Sequence, residues 1–163
     1  MPLLAALLTV GWLAAIVVAP FLTAPLSALV YAVGSLVCHQ LPDRSFHIGA
    51  SQLPVCARCL GVYVGAACGA LSGVVSTYGP ADSSLRLRAK HARLSVGIAV
   101  LPTAASVVLE AAGLWRTTNV QRAVMGFPAG LVAAFVVVSV LATLHYTQCV
   151  PRRPTAPSQP PSI

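Results

Sequence analysis

Residues 38–73 read CHQLPDRSFHIGASQLPVCARCLGVYVGAACGALSG, and the change from polar to apolar chain inside them, at Cys56-Ala57-Arg58-Cys59, decides the fold. From Leu60 to Tyr78 the residues are almost all apolar over the length that a bilayer-crossing helix needs, roughly 20 residues. Gly61, Gly65, Gly69 and Gly73 recur at every fourth position there. That spacing puts them on one stripe of a helix, where small residues let a second helix come close in lipid. The stripe is read as packing surface, and the cysteine motif is therefore anchored to a closely packed helix.

The rest of the chain follows the same pattern. Of 163 residues, 57% are hydrophobic and 8% charged, and the mean hydropathy is +0.84. A soluble domain carries about 25% charged residues, so this composition specifies an integral membrane protein, an all-α bundle. Apolar runs over 3–19, 60–78, 94–114 and 124–146 predict four spans. A further apolar segment, 21–37, is broken at its start by Pro20 and Pro25 and is read as an interfacial or half-buried helix, or an extra span. Residues 1–148 are expected to form one transmembrane domain, and the Pro- and Ser-rich residues 149–163 a disordered tail. Residues 1–19 lack the basic start of a signal peptide and are read as a retained first span.

The formal net charge of +7 is read through the tendency of Lys and Arg to collect on the cytoplasmic side, and no nucleic-acid partner is expected. Six basic residues lie in the 79–93 loop and the tail: Arg86, Arg88, Lys90, Arg93, Arg152 and Arg153. Four stand on the opposite face: Arg44, Arg58, Arg116 and Arg122. This balance predicts a cytoplasmic basic loop and tail and an extracytoplasmic cysteine motif in a multi-pass cell-membrane protein.

Pro54 is read as the first-turn proline of the second span, which places Cys56 and Cys59 at a helix N-terminus. Unpaired N–H groups there favour a thiolate, and Arg58 adds to the effect. Cys68, farther along, is expected to be a small buried apolar residue. Glu110, an acid inside the third span, is expected to pair with Arg116 or Arg122, or to face a substrate. Thr117, Thr118 and Asn119 offer helix caps, and Gly126, Gly130 and Ala134 a partner stripe for the second span.

Cys38-His39-Gln40, Pro42, Arg44-Ser45-Phe46, Pro54-Val55-Cys56-Ala57-Arg58-Cys59, Gly61, Tyr63 and Gly65, followed by Glu110, Arg116, Thr118-Asn119, Arg122, Gly126 and Gly130, resemble the signature of a family of small prokaryotic integral membrane proteins known as a domain of unknown function. In that family the acid of the third span is usually Asp, and here it is Glu110. The resemblance covers about residues 38–130 and implies membership without implying an activity.

Three chemistries fit these residues. Thiol–disulfide exchange uses Cys56 and Cys59 with Cys38 as a third thiol and His39 as an acid or base. The layout is similar to bacterial membrane enzymes that pass electrons from thiols to a quinone, although a second cysteine pair is missing. A zinc site drawn from Cys38, His39, Cys56 and Cys59, with His47 nearby, is the second. The third is an anionic-lipid site, in a lipid-binding or lipid-modifying protein or a transporter, gripped by Arg44, Arg58, Arg116 and Arg122 with Glu110 and Asn119. The cofactor is accordingly zinc, a quinone or neither, and catalysis is left open.

Overall fold

The computed structural model describes residues 1–78 and 92–149. The expectations for Arg86, Arg88, Lys90 and the tail from Pro151 lie outside the described residues. The chain is an all-α membrane bundle with one small hairpin. Its order is α1 (Pro2–Val18), α2 (Ala24–Ser35), β1 (Ser45–Ile48), β2 (Ser51–Cys56), α3 (Ala57–Tyr78), α4 (Ala92–Ala111) and α5 (Asn119–Cys149). Four stretches are long and apolar enough to cross a bilayer: Pro2–Phe21, Ala57–Thr77, Leu94–Ala111 and Asn119–Ala142. The 12-residue α2 is shorter than a span requires.

The main helix pair is α3 with α5. A methyl group added at Gly61, Gly65 or Gly69 would overlap the backbone of Ala123, Phe127 or Leu131 respectively. One added at Gly126 or Gly130 would overlap the backbone of Arg58 or Val62. The two glycine stripes thus face each other, as their spacing predicts, and the helices meet backbone to backbone. Helix α1 packs on α3, and α4 packs on α5. The Thr103 hydroxyl on α4 donates to the Met125 carbonyl on α5 at 2.6 Å.

The ends of α4 and α5 are set by local chemistry. Beyond Ala111 the Gly113 N–H reaches the Glu110 carbonyl, and the Leu114 N–H reaches Leu109. Gly113 sits at φ +69, the left-handed conformation that closes such a Schellman end at little cost for glycine. Helix α5 opens with a capping box: the Gln121 N–H donates to Thr118 Oγ1, and the Thr118 N–H donates to Gln121 Oε1. Of the expected caps, Thr118 serves.

Two expectations are corrected. Pro54 lies in β2, between buried Leu53 and Val55, and α3 starts at Ala57. The hairpin pairs β1 and β2 antiparallel, with Ser45 opposite Cys56 and His47 opposite Gln52. A proline is tolerated there because an edge strand leaves some N–H positions unused. Cys68 is exposed on α3, turned away from the α5 seam, because the seam follows the glycines and the thiol does not lie on that stripe.

Candidate functional site

The hairpin ends where α3 begins, so Cys56 immediately precedes the first helical residue. The backbone N–H groups of Arg58 and Cys59 point back at its sulfur, and so does the Cys59 thiol. Cys38 comes from the loop after α2, and its Sγ accepts the Cys56 N–H at 3.1 Å. The Sγ atoms of Cys38, Cys56 and Cys59 all lie within 4.8 Å of one another. All three cysteines are free; Cys38 is buried, and the other two are half-buried.

Hydrogen bonding of its thiolate by the Cys59 thiol, then by the Cys59 and Arg58 N–H groups and by Cys38, lowers the Cys56 thiol to about 5, against an opposing loss of water. The anion is favoured first by the Cys59 thiol and then by N–H donors that the first turn leaves unpaired.

The loop carrying Cys38 is held by glutamines. Gln40 Nε2 donates to the Tyr31 carbonyl and the Pro54 carbonyl, each at 2.8 Å. Gln52 Nε2 donates to the Gln40 carbonyl at 2.6 Å and to Ser45 Oγ at 3.2 Å. The Tyr31 hydroxyl donates to the Gln52 carbonyl. Gln40 adopts φ +51, unusual for a side-chain-bearing residue, and its three partners hold it there. Gln52 and Tyr31 were not singled out as site residues in the sequence. Their signal is the presence of amide and phenol groups beside an apolar helix, where a polar group needs partners.

Beside the sulfurs lies an ion network. Arg58 Nη2 meets Glu110 Oε2 at 3.2 Å, and Arg122 Nε meets Glu110 Oε1 at 3.1 Å, with the three side chains 16%, 12% and 8% exposed for Arg58, Arg122 and Glu110. Arg58 also donates to Ser106 Oγ, Arg122 to Asn119 Oδ1, and Asn119 to the Ser45 carbonyl. Two cations and one anion thus tie α3, α4, α5 and β1 together. Arg58 Nε is buried without an acceptor among the described residues.

The structure therefore joins Cys38, Cys56 and Cys59 in one cluster, and Arg58, Glu110, Asn119 and Arg122 in the network beside it. His39, His47, Arg44 and Arg116 are exposed and belong to neither. Of the two partners expected for Glu110, the structure has Arg122, and it adds Arg58 from 52 residues away in sequence.

Residues 38–136 match the family DUF2085, described as "Predicted membrane protein". The chain belongs to the DUF2085 family. The region matched in DUF2085 takes in all three clustered sulfurs, the ion network and most of the helix seam. Among similar proteins is the uncharacterised protein MJ1492 of Methanocaldococcus jannaschii, 31% identical over 121 residues, covering 74% of each chain. An uncharacterised protein of Methanothermobacter thermautotrophicus is 31% identical over 98 residues, which is 58% of this chain and 78% of that one. No solved structure matches.

Proposed function

We propose that this protein performs thiol–disulfide exchange from the membrane, with Cys56 as the attacking thiolate, Cys59 as its disulfide partner and Cys38 as a third thiol. The observation that carries the reading is the position of Cys56: a depressed thiol at the start of α3, with two further sulfurs within 4.8 Å. Cys56 attacks a disulfide R–S–S–R, forming Cys56–S–S–R and releasing one thiolate. Cys59, giving up its proton, then attacks the Cys56 sulfur, releasing the second thiolate and leaving a Cys56–Cys59 disulfide. Cys38 stands where it can attack the same sulfur and pass the disulfide on. The reverse sequence oxidises a pair of client thiols. The excess of basic residues in the 79–93 loop and tail supports an extracytoplasmic position for the cluster, where a disulfide persists.

The test treats reduced protein with glutathione disulfide and maps the products by peptide mass. A Cys56–Cys59 disulfide is expected, and Cys59→Ser should stop at a glutathione adduct on Cys56. If Cys56 stays fully alkylatable and no disulfide forms, the reading fails.

A second reading has its own observation. Three convergent sulfurs suit a soft metal such as zinc, whose bonds to sulfur are about 2.3 Å, with the fourth position open. His39 is exposed and outside this set, so the donors would be the three cysteines. Metal analysis of protein purified without chelator separates the two: about one equivalent bound, lost in Cys38→Ser, supports the metal site.

A further inference from the structure

The charges of the ion network do not balance. Arg58 and Arg122 carry two positive charges, and Glu110 is their sole carboxylate partner among the described residues. The two arginine side chains are 16% and 12% exposed, so the surplus charge stands largely out of water. Such a charge is costly unless a counter-charge reaches it.

The donors are not all used either. Arg58 engages Nη2 alone, toward Glu110 and Ser106, and Arg122 engages Nε toward Glu110 and Nη1 toward Asn119. Arg58 Nε and Nη1 and Arg122 Nη2 have no acceptor among the described residues. Arg58 Nε is sealed inside the protein, whereas the two terminal nitrogens keep open surface. Both guanidiniums hold the same carboxylate, so they stand side by side.

The depth of the network narrows the ligand. Arg58 is the second residue of the span Ala57–Thr77, Glu110 the last but one of Leu94–Ala111, and Arg122 the fourth of Asn119–Ala142. All three lie within about one helical turn of the span ends, at the end of the bundle that carries the cap. Apolar tails give way to headgroups at that level.

We propose that Arg58 and Arg122 together bind one phosphate group of single negative charge, the chemistry shared by a phospholipid phosphodiester and the dihydrogen form of inorganic phosphate. One such charge cancels the surplus, and guanidinium N–H groups match phosphate oxygens in forked pairs. The depth favours the lipid source, and the charge count favours an anionic headgroup over a zwitterionic one, whose own cation already pairs its phosphate. The exposed Arg44 and Arg116 are outside this site. The proposal stands apart from the thiol chemistry and does not rest on it.

The experiment titrates full-length protein in maltoside detergent with short-chain phosphatidylglycerol, short-chain phosphatidylcholine and sodium phosphate in turn. Binding is read by calorimetry and helix content by circular dichroism. Phosphatidylglycerol should bind saturably, and phosphatidylcholine about tenfold more weakly or less. Arg122→Lys keeps the charge but loses the free fork, and should weaken phosphatidylglycerol binding about tenfold, the scale of one charged hydrogen bond. Glu110→Gln removes the competing anion and should tighten binding about threefold or more. Arg116→Gln should change it by less than about twofold, as for a surface charge. Sodium phosphate that saturates and responds to the same variants, with phosphatidylglycerol binding no better, supports the phosphate site and makes its source soluble. No saturable binding of either anion, or equal losses in Arg116→Gln and Arg122→Lys, overturns the proposal. Should Arg122→Lys lose its helix content, Glu110→Gln decides: binding no tighter than in the parent overturns it.

Discussion

The seam between α3 and α5 and the polar cap of residues 38–56 meet at Cys56, yet they are held together in opposite ways. In the seam, backbone lies against backbone over glycines, and few side-chain polar groups take part. In the cap, Gln40, Gln52, Tyr31 and Ser45 form a chain of side-chain hydrogen bonds. Lipid offers helices no hydrophobic drive to associate, so the seam gains from close packing alone and tolerates no added atom. The cap is held by side-chain hydrogen bonds to backbone carbonyls, which keep its loop in a conformation that packing does not impose. The seam fixes where the thiols stand, and the cap fixes which thiol joins them.

Three destabilising variants, from the largest effect down, and one pH test break or sharpen this contrast. Glu110→Ala leaves Arg58 and Arg122 without their shared anion, and breaking a buried pair in this way costs about 3–5 kcal/mol. Denaturant titration in detergent should show this loss, which would strike the seam through Arg58 and Arg122 and the cap through Asn119, which Arg122 holds against the Ser45 carbonyl. Gly65→Ala drives a methyl group into Phe127, and overpacking of this kind costs about 1–3 kcal/mol. Gly97→Ala is the control, since nothing lies within 4 Å there, and its melting temperature should match the parent.

Gln40→Ala removes the donor to two carbonyls and should cost about 1–3 kcal/mol locally. Cys38 should then be alkylated faster while the helix content is kept; an unchanged Cys38 rate would mean that the cap does not position it. The last test is with pH. The Cys56 thiol is lowered from an ordinary 9.0 to about 5, so its stabilising charge is fully present above the ordinary value and is lost as the pH falls through about 5. Cys56 alkylation, followed by mass spectrometry, should therefore reach half its plateau near pH 5, and a midpoint near 9 would contradict the helix-start thiolate.

The spans and the facing glycine stripes were legible because each depends on local spacing: an apolar run of set length, and small residues four apart. The gathering of Cys56 and Cys59 was legible for the same reason. The hairpin was not, because Leu53-Pro54-Val55 beside a helix start reads equally as strand or first turn. Nor was the Arg58–Glu110 pair, since its partners are 52 residues apart and only the bundle brings them together. Cys68 was misread because one apolar stripe of a spanning helix faces protein and the next faces lipid, and composition does not tell them apart.

The regularity of the seam has a geometric consequence. With glycines at 61, 65, 69 and 73 facing 126 and 130, a slide of α5 along α3 by four residues, about 6 Å, would set glycine against backbone once more. The interlock by itself is a vernier with several matching settings. Polar contacts at one end, Asn119 to the Ser45 carbonyl and Glu110 to both arginines, are made in one setting only. They act as the index mark that selects the alignment, and with it the place at which the three sulfurs converge.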